Sequence, residues 1–195
     1  MKAVYVVNDV KIAKILVDPM RRAILDLLRQ KPMTQAGLAS ELGLTGASLT
    51  HHMKILRSNR LVTIFKREIE RHRIMQTFLS SVAYLFVYDL DSLPKNIARY
   101  FYPVSLERAR AVLSLLLQYN EELSSAYEIE HTPDAINRIS EKMSRHLITA
   151  AKSYENKTIN HGDEKYVYEI YGNAIMNLLK EDKKQLSYIQ RKNKR

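Results

Sequence analysis

Apolar residues Met20, Ala23, Ile24, Leu27 and Leu28 recur at i, i+3, i+4, i+7 and i+8, the spacing of one buried helical face. Asp18 and Pro19 precede them as N-cap and first-turn residues, so a helix is expected to run to about Arg29. Upstream, "KAVYVV" (2–7) is β-branched and aromatic and reads as a short strand; Val10, Ile12, Ala13, Leu16 and Val17 follow at mixed helical spacing. Downstream, Thr34 caps a short helix with Leu38, Ala39 and Leu42 inward. Gly43 ends it, because glycine takes the left-handed conformation without steric cost. From Thr45 to about Ser58, Leu49, Met53 and Leu56 fall at i, i+4 and i+7, which turns Ala47, Ser48, Thr50, His51 and Lys54 toward the other faces. Two short helices around a glycine turn make a helix-turn-helix.

The period then changes. Residues 61–66 and 72–78 are β-rich and flank the charged tip "REIE", which predicts a β-hairpin, or wing. "SSVAYLFVYDLDSLPKNIARYFYP" (80–103) reads as strand or helix leading into a loop. Three long helices are expected after it: Leu106 to about Tyr127 capped by Ser105, Thr132-Pro133 to about Tyr154, and Asp163 to about Gln190. The fold class is therefore mainly α. A winged helix-turn-helix domain over residues 1–78 precedes an all-helical region over 79–195, assigned to dimerisation or regulation, with a frayed tail "RKNKR".

Composition sharpens this picture. At 195 residues and 46% hydrophobic content the chain can bury a real core. Its net charge of +10 is unevenly spread: residues 1–77 carry 14 basic and 6 acidic side chains, a net of +8, whereas 78–195 carry 17 and 15, a net of +2. A basic module joined to a nearly neutral body is the footprint of nucleic-acid binding, with anionic membranes and acidic proteins as the competing partners. The absence of cysteine excludes disulfides, thiolate nucleophiles and Cys-ligated metals. Neither a signal peptide nor a membrane span is read from the sequence, and a soluble cytoplasmic protein is expected.

With these elements in place, "ILVDPMRRAILDLLRQKPMTQAGLASELGLTGASLTHHMKILRSNRLV" resembles the ArsR-type winged helix-turn-helix regulators, in particular archaeal members with a helical C-terminal extension. The residues that carry the resemblance are Asp18-Pro19 with Arg21 and Arg22, Leu38-Ala39 with Leu42-Gly43-Leu44, and "SLTHHMKIL". It covers roughly residues 10–78 and implies a homodimeric DNA-binding transcription regulator, more often a repressor. Three departures stand out. The cysteines of the family's metal sensors are missing from "TQAGLASEL"; Arg60 replaces the usual glycine before Leu61-Val62, leaving Asn59 to take the left-handed turn; and the wing tip "REIE" has no glycine.

Candidate contacts follow from the helix and the wing. Thr45, Ala47, Ser48, Thr50, His51 and Lys54 supply hydroxyls, a methyl, an imidazole and an ammonium that suit base edges or phosphates in the major groove. Gln35 sits at a helix start suited to a phosphate. Arg57, Lys66, Arg67, Arg71 and Arg73 would supply backbone charge. Adjacent helical histidines point about 100° apart, so His51 and His52 cannot share a metal as an i, i+4 pair can. The family pattern makes His51 a base or phosphate contact and His52 a packing residue toward the dimer or wing side. In the second half, Tyr84, Tyr88, Tyr100, Tyr102, Tyr119 and Tyr127 are read as core or subunit interface, with a ligand pocket using Arg99 or Arg108 as the rival. No cofactor or metal site is read, since His72, His131, His146 and His161 are scattered. An enzyme is the weakest reading, with no nucleophile-base set and no phosphate loop. A protein-interaction module and an RNA binder stay open beside double-stranded DNA.

Overall fold

The computed structural model describes residues 1–69, 75–104, 107, 110–111 and 133–192, with side chains from 140 to 181 in the last segment. The chain opens with strand β1 (Lys2–Val7) and helices α1 (Val10–Leu16), α2 (Pro19–Gln30), α3 (Gln35–Leu42) and α4 (Gly46–Ser58). Strands β2 (Val62–Ile69), β3 (Met75–Ser81) and β4 (Ala83–Tyr88), a short α5 (Lys95–Ala98), and helices α6 (Pro133–Lys152) and α7 (Lys165–Lys192) follow. The helix expected from Leu106 to Tyr127 lies almost wholly outside the described residues.

Local chemistry sets the starts of α2 and α3 and the end of α3 as the sequence predicts. The Asp18 carboxylate accepts from the backbone N–H of Met20 at 2.8 Å and Arg21 at 3.3 Å. Thr34 and Thr45 cap α3 and α4 through Gly37 N–H and Ser48 N–H. Gly43 holds φ 62 between those helices. Arg21 and Arg22 donate to the carbonyls of Ile15, Leu16 and Val17, so they cap the C-terminal end of α1 and complement its dipole.

A core of Leu16, Ile24, Leu28, Leu38, Leu49, Met53, Leu56, Leu61 and Leu79, all at most 2% exposed, joins α1–α4 to the base of the wing. There β2 and β3 pair antiparallel from Val62↔Ser81 to Ile69↔Met75, with a bulge between Ile64 and Lys66. Met33 adds a bridge to Leu79 through two backbone hydrogen bonds of 3.1 and 2.8 Å. This is a winged helix-turn-helix followed by long helices. The wing is longer than expected: β2 reaches Ile69, so three residues of "REIE" belong to a strand, and β3 starts at Met75 and continues to Ser81.

Residues 83–88, ambiguous in the sequence, form strand β4, which pairs in parallel with β1 from Lys2↔Ala83 to Val7↔Tyr88. The region after residue 78 therefore contributes a strand as well as helices. One face of this two-stranded sheet, Val4, Val6, Leu85 and Val87, packs on Met143, Ile148, Ala151, Ile170, Ala174 and Leu178 of α6 and α7. The other, with Val7 and Tyr88 and the half-buried Tyr5 and Phe86, joins the helix-turn-helix core. The whole reading module is thus the crossover between two parallel strands, and the sheet is the plate that separates it from the C-terminal hairpin.

Candidate nucleic-acid interface

Helix α4 divides cleanly into two sides. Leu49, Met53 and Leu56 are at most 1% exposed, while Thr45, Ala47, Thr50, His51, Lys54 and Arg57 are exposed and Ser48 is half-buried. Thirteen residues at ~1.5 Å each give a rod about 20 Å long, and a helix about 10–12 Å across matches the width of a major groove, about 12 Å. The outward side chains are not all free. Thr50 donates its hydroxyl proton to Gly46 C=O at 2.7 Å and accepts from Gln35 Nε2 at 3.4 Å. The remaining lone pair makes Thr50 an acceptor, matched to the amino donors of adenine or cytosine. Gln35 is half-buried and ties α3 to α4, a positioning role beside the phosphate role expected of it.

The histidine pair divides its labour. His51 is exposed, edge-on to His52 with ring centroids 5.8 Å apart. His52 is half-buried with Nδ1 3.4 Å from Asp18 Oδ2, the same carboxylate oxygen that lies 3.3 Å from Arg21 Nε. It therefore faces the start of α2, not the wing side, within ion-pair distance of Asp18 but without hydrogen-bond geometry. Asp18 serves both contacts while capping α2.

At the end of α4, Asn59 Nδ2 donates to Ile55 C=O at 2.8 Å, and Arg60 takes the left-handed conformation at φ 57. This corrects the expectation that Asn59 would make that turn. The bonds Arg60 N–H to Arg57 C=O and Leu61 N–H to Leu56 C=O close the helix as a glycine would, with the strain borne by an arginine. Arg60 is exposed and adds a cation between α4 and the wing; its departure from glycine in the sequence was the signal for it.

On the wing, Lys66 pairs with Glu68 and lies 4.9 Å over the Phe78 ring, so part of its charge is already compensated. Arg67 is exposed opposite Thr77. Arg71, His72 and Arg73 lie outside the described residues. Phe65, displaced by the bulge, meets His161 edge-on at 5.0 Å, and His161 Nε2 is 2.9 Å from Ser80 Oγ. The loop between α6 and α7 thereby touches the wing. Burial, and then the positive N-terminal amine, hold the His161 imidazole below its usual pKa.

Among the described residues the C-terminal tyrosines do not converge. Tyr84 is buried, donates to Glu164 Oε1 at 3.0 Å and lies under Arg29; Tyr88 stacks on Phe101 at 4.0 Å; Tyr100 and Tyr102 are exposed, Tyr100 under Arg99. Arg108, Tyr119, Tyr127 and His131 lie outside the described residues. A cavity of about 130 Å³ between α2 and β4, lined by Arg22, Leu25, Asp26, Arg29, Phe86, Tyr88 and Val104, is small against the ~300 Å³ of ordinary ligand pockets. His146 is bound to Glu181 at 2.8 Å, a clasp between α6 and α7 that holds the Glu181 carboxyl below its usual pKa. Among the described residues, no group of three or more His, Asp or Glu side chains is placed to hold a metal ion, and no helix is long and apolar enough to cross a membrane.

Residues 16–64 match a family model described as a helix-turn-helix domain. That span runs from the end of α1 to the start of β2, and so contains both reading helices and the turn at Gly43. No curated protein matches the chain. Among solved structures it is similar to NolR from Sinorhizobium fredii, with 21% identity over 49% of this chain and 78% of that one and a TM-score of 0.32. The helix-turn-helix assignment thus stands on the matched span and on the geometry of α3, Gly43 and α4.

Proposed function

We propose that the protein is a cytoplasmic, sequence-specific regulator of transcription that binds double-stranded DNA as a homodimer, most simply as a repressor. Helix α4 enters the major groove, and the wing rests on the flanking backbone or minor groove. The observation that carries this reading is the sidedness of α4: a fully buried Leu49-Met53-Leu56 seam fixes the helix, and every cation on it, Lys54 and Arg57, points outward. Two such helices about 34 Å apart would meet successive turns of a near-palindromic site. Residues 1–78, with the rest of β3 to Ser81, form the DNA-binding unit on this reading, and the remainder to 195 the dimerising or regulatory one. The resemblance to ArsR-type regulators supports the dimer and the sign of regulation.

The test is selection of bound fragments from sheared genomic DNA of the source organism at about 0.15 M salt, where the Debye length is near 8 Å, with RNA as competitor. Enrichment of a two-fold-symmetric motif is the expected result. Retention of RNA in its place would move the reading to an RNA binder. Indifference to both would leave a protein-interaction module, for which charge reversal at Arg71 and Arg73 should change nothing.

A further inference from the structure

The described part of the wing ends in a pair of side chains that its cations do not explain. Beyond the bulge, the pairs Lys66↔Phe78, Arg67↔Thr77, Glu68↔Gln76 and Ile69↔Met75 alternate between the two faces of the hairpin. Leu79, Thr77 and Met75 share one face of β3; Leu79 is 2% exposed in the core, whereas Met75 is 61% exposed and its cross-strand partner Ile69 72%. The face that packs on the helices at Leu79 therefore continues outward through Arg67 and Thr77 and reaches, about 13 Å further on at ~3.3 Å per residue, an exposed apolar pair at the limit of the described strands. The opposite face is closed on itself, with Lys66 paired to Glu68 and lying over Phe78.

We infer that Ile69 and Met75 are an apolar foot that seats against the deoxyribose walls of the minor groove next to the α4 site. The inference rests on the DNA-binding reading and deepens it. Charge selects the occupant. Arg67 stands between the core and the pair on the same face, and Lys54 and Arg57 are exposed on the neighbouring helix, all within a segment, 1–77, of net charge +8, so the wing and α4 suit a polyanion. A duplex offers that approach apolar surface in its sugar walls and at base steps, and minor-groove proteins place Ile, Met and Phe at the base steps. Neither side chain contributes to the core, and removing both from water on binding adds affinity without engaging a phosphate. That separates the foot from the cations: apolar burial is insensitive to salt, whereas each phosphate contact adds about 0.9 to the slope of log K against log salt.

The experiment titrates a selected duplex with the full chain, with Ile69→Ser/Met75→Ser, with Ile69→Leu/Met75→Leu and with Arg67→Ala, from about 0.05 to 0.2 M salt. Hydroxyl-radical footprints and sedimentation are recorded on the same samples. The serine pair should bind about tenfold more weakly at every salt concentration, with an unchanged slope, unchanged melting and lost protection of sugars beside the major-groove footprint. The leucine pair should restore native binding, and Arg67→Ala should flatten the slope by about 0.9. Native affinity in the serine pair, or a flattened slope, would overturn the foot. So would loss of self-association without loss of the sugar footprint, which would make a second copy the occupant. Failure of the unaltered chain to bind any duplex would remove the DNA reading itself, and the foot with it.

Discussion

Helix α4 and the wing lie side by side, yet they are held in opposite ways. The helix is anchored along its whole length by Leu49, Met53 and Leu56, tied to α3 through Gln35 and Thr50, and set against the start of α2 with His52 beside Asp18. Among the described residues the wing is anchored toward its base, by Leu61, Val62 and Leu79 with the Met33 bridge and by the contacts of Phe65 and Ser80 with His161, and from Thr63 to Ile69 every residue of β2 is exposed. Base edges demand placement to fractions of an ångström, and a rigid helix supplies it. Phosphates and sugar walls tolerate adjustment, which a ribbon held at one end allows.

The largest expected effect breaks the rigid side. Leu56→Ala removes a fully buried side chain beneath α4 and should cost about 2–5 kcal/mol in denaturant unfolding. An exposed wing change such as Ile69→Ser should leave the midpoint where it was; equal losses would mean that the wing is as firmly held as the helix. Asp18→Ala comes next. It removes the α2 cap together with the anchor of His52, and should lower stability by about 1–2 kcal/mol. Asp18→Asn, which keeps the cap, should recover most of that.

Arg60→Gly probes the joint between the two regions. The left-handed backbone at φ 57 costs an arginine about 1 kcal/mol that glycine does not incur, so the variant should melt higher even though it loses a cation. A lower melting temperature would show that the Arg60 side chain stabilises the joint by more than its strain.

The smallest effect concerns the contact between the wing and the C-terminal loop. The folded-state pKa of His161 lies below its unfolded value near 6.5, so on acidification the unfolded chain takes up the proton first. The stability this neutral histidine contributes is complete above about pH 6.5 and is lost as pH falls through that value toward the folded pKa. His161→Gln, which can still bond Ser80, should flatten the fall in stability between about pH 7 and 5. An unchanged pH profile would place the titrating group elsewhere.

The same contrast governs what could be read from the sequence. Helices α2, α3 and α4 were legible because their signals are local: a cap at Asp18 or Thr34, a left-handed glycine at Gly43, and buried residues on a helical period. Strand β4 was not, because both of its faces are covered. Residues 83–88 are apolar without alternation, and the partner that makes them a strand, β1, lies some eighty residues earlier. The wing was found but mismeasured, since the outer part of β2 is exposed on both faces and carries no period-two pattern, and the Phe65 bulge shifts its register. At the interface, residue types pointed to the outward face of α4. They did not show that Gln35 and Thr50 would bond each other, that His52 would turn to Asp18, or that Arg60 would take the left-handed turn.

The central claim is that α4 selects the sequence while the wing holds the duplex. Its most direct test is titration of Thr50→Ala, His51→Ala and Arg67→Ala against a selected duplex and a scrambled one at matched salt. The two α4 variants should lose affinity for the selected duplex and leave binding to the scrambled one nearly unchanged, whereas Arg67→Ala should weaken both alike. Equal losses on both duplexes from all three variants would contradict the division of labour.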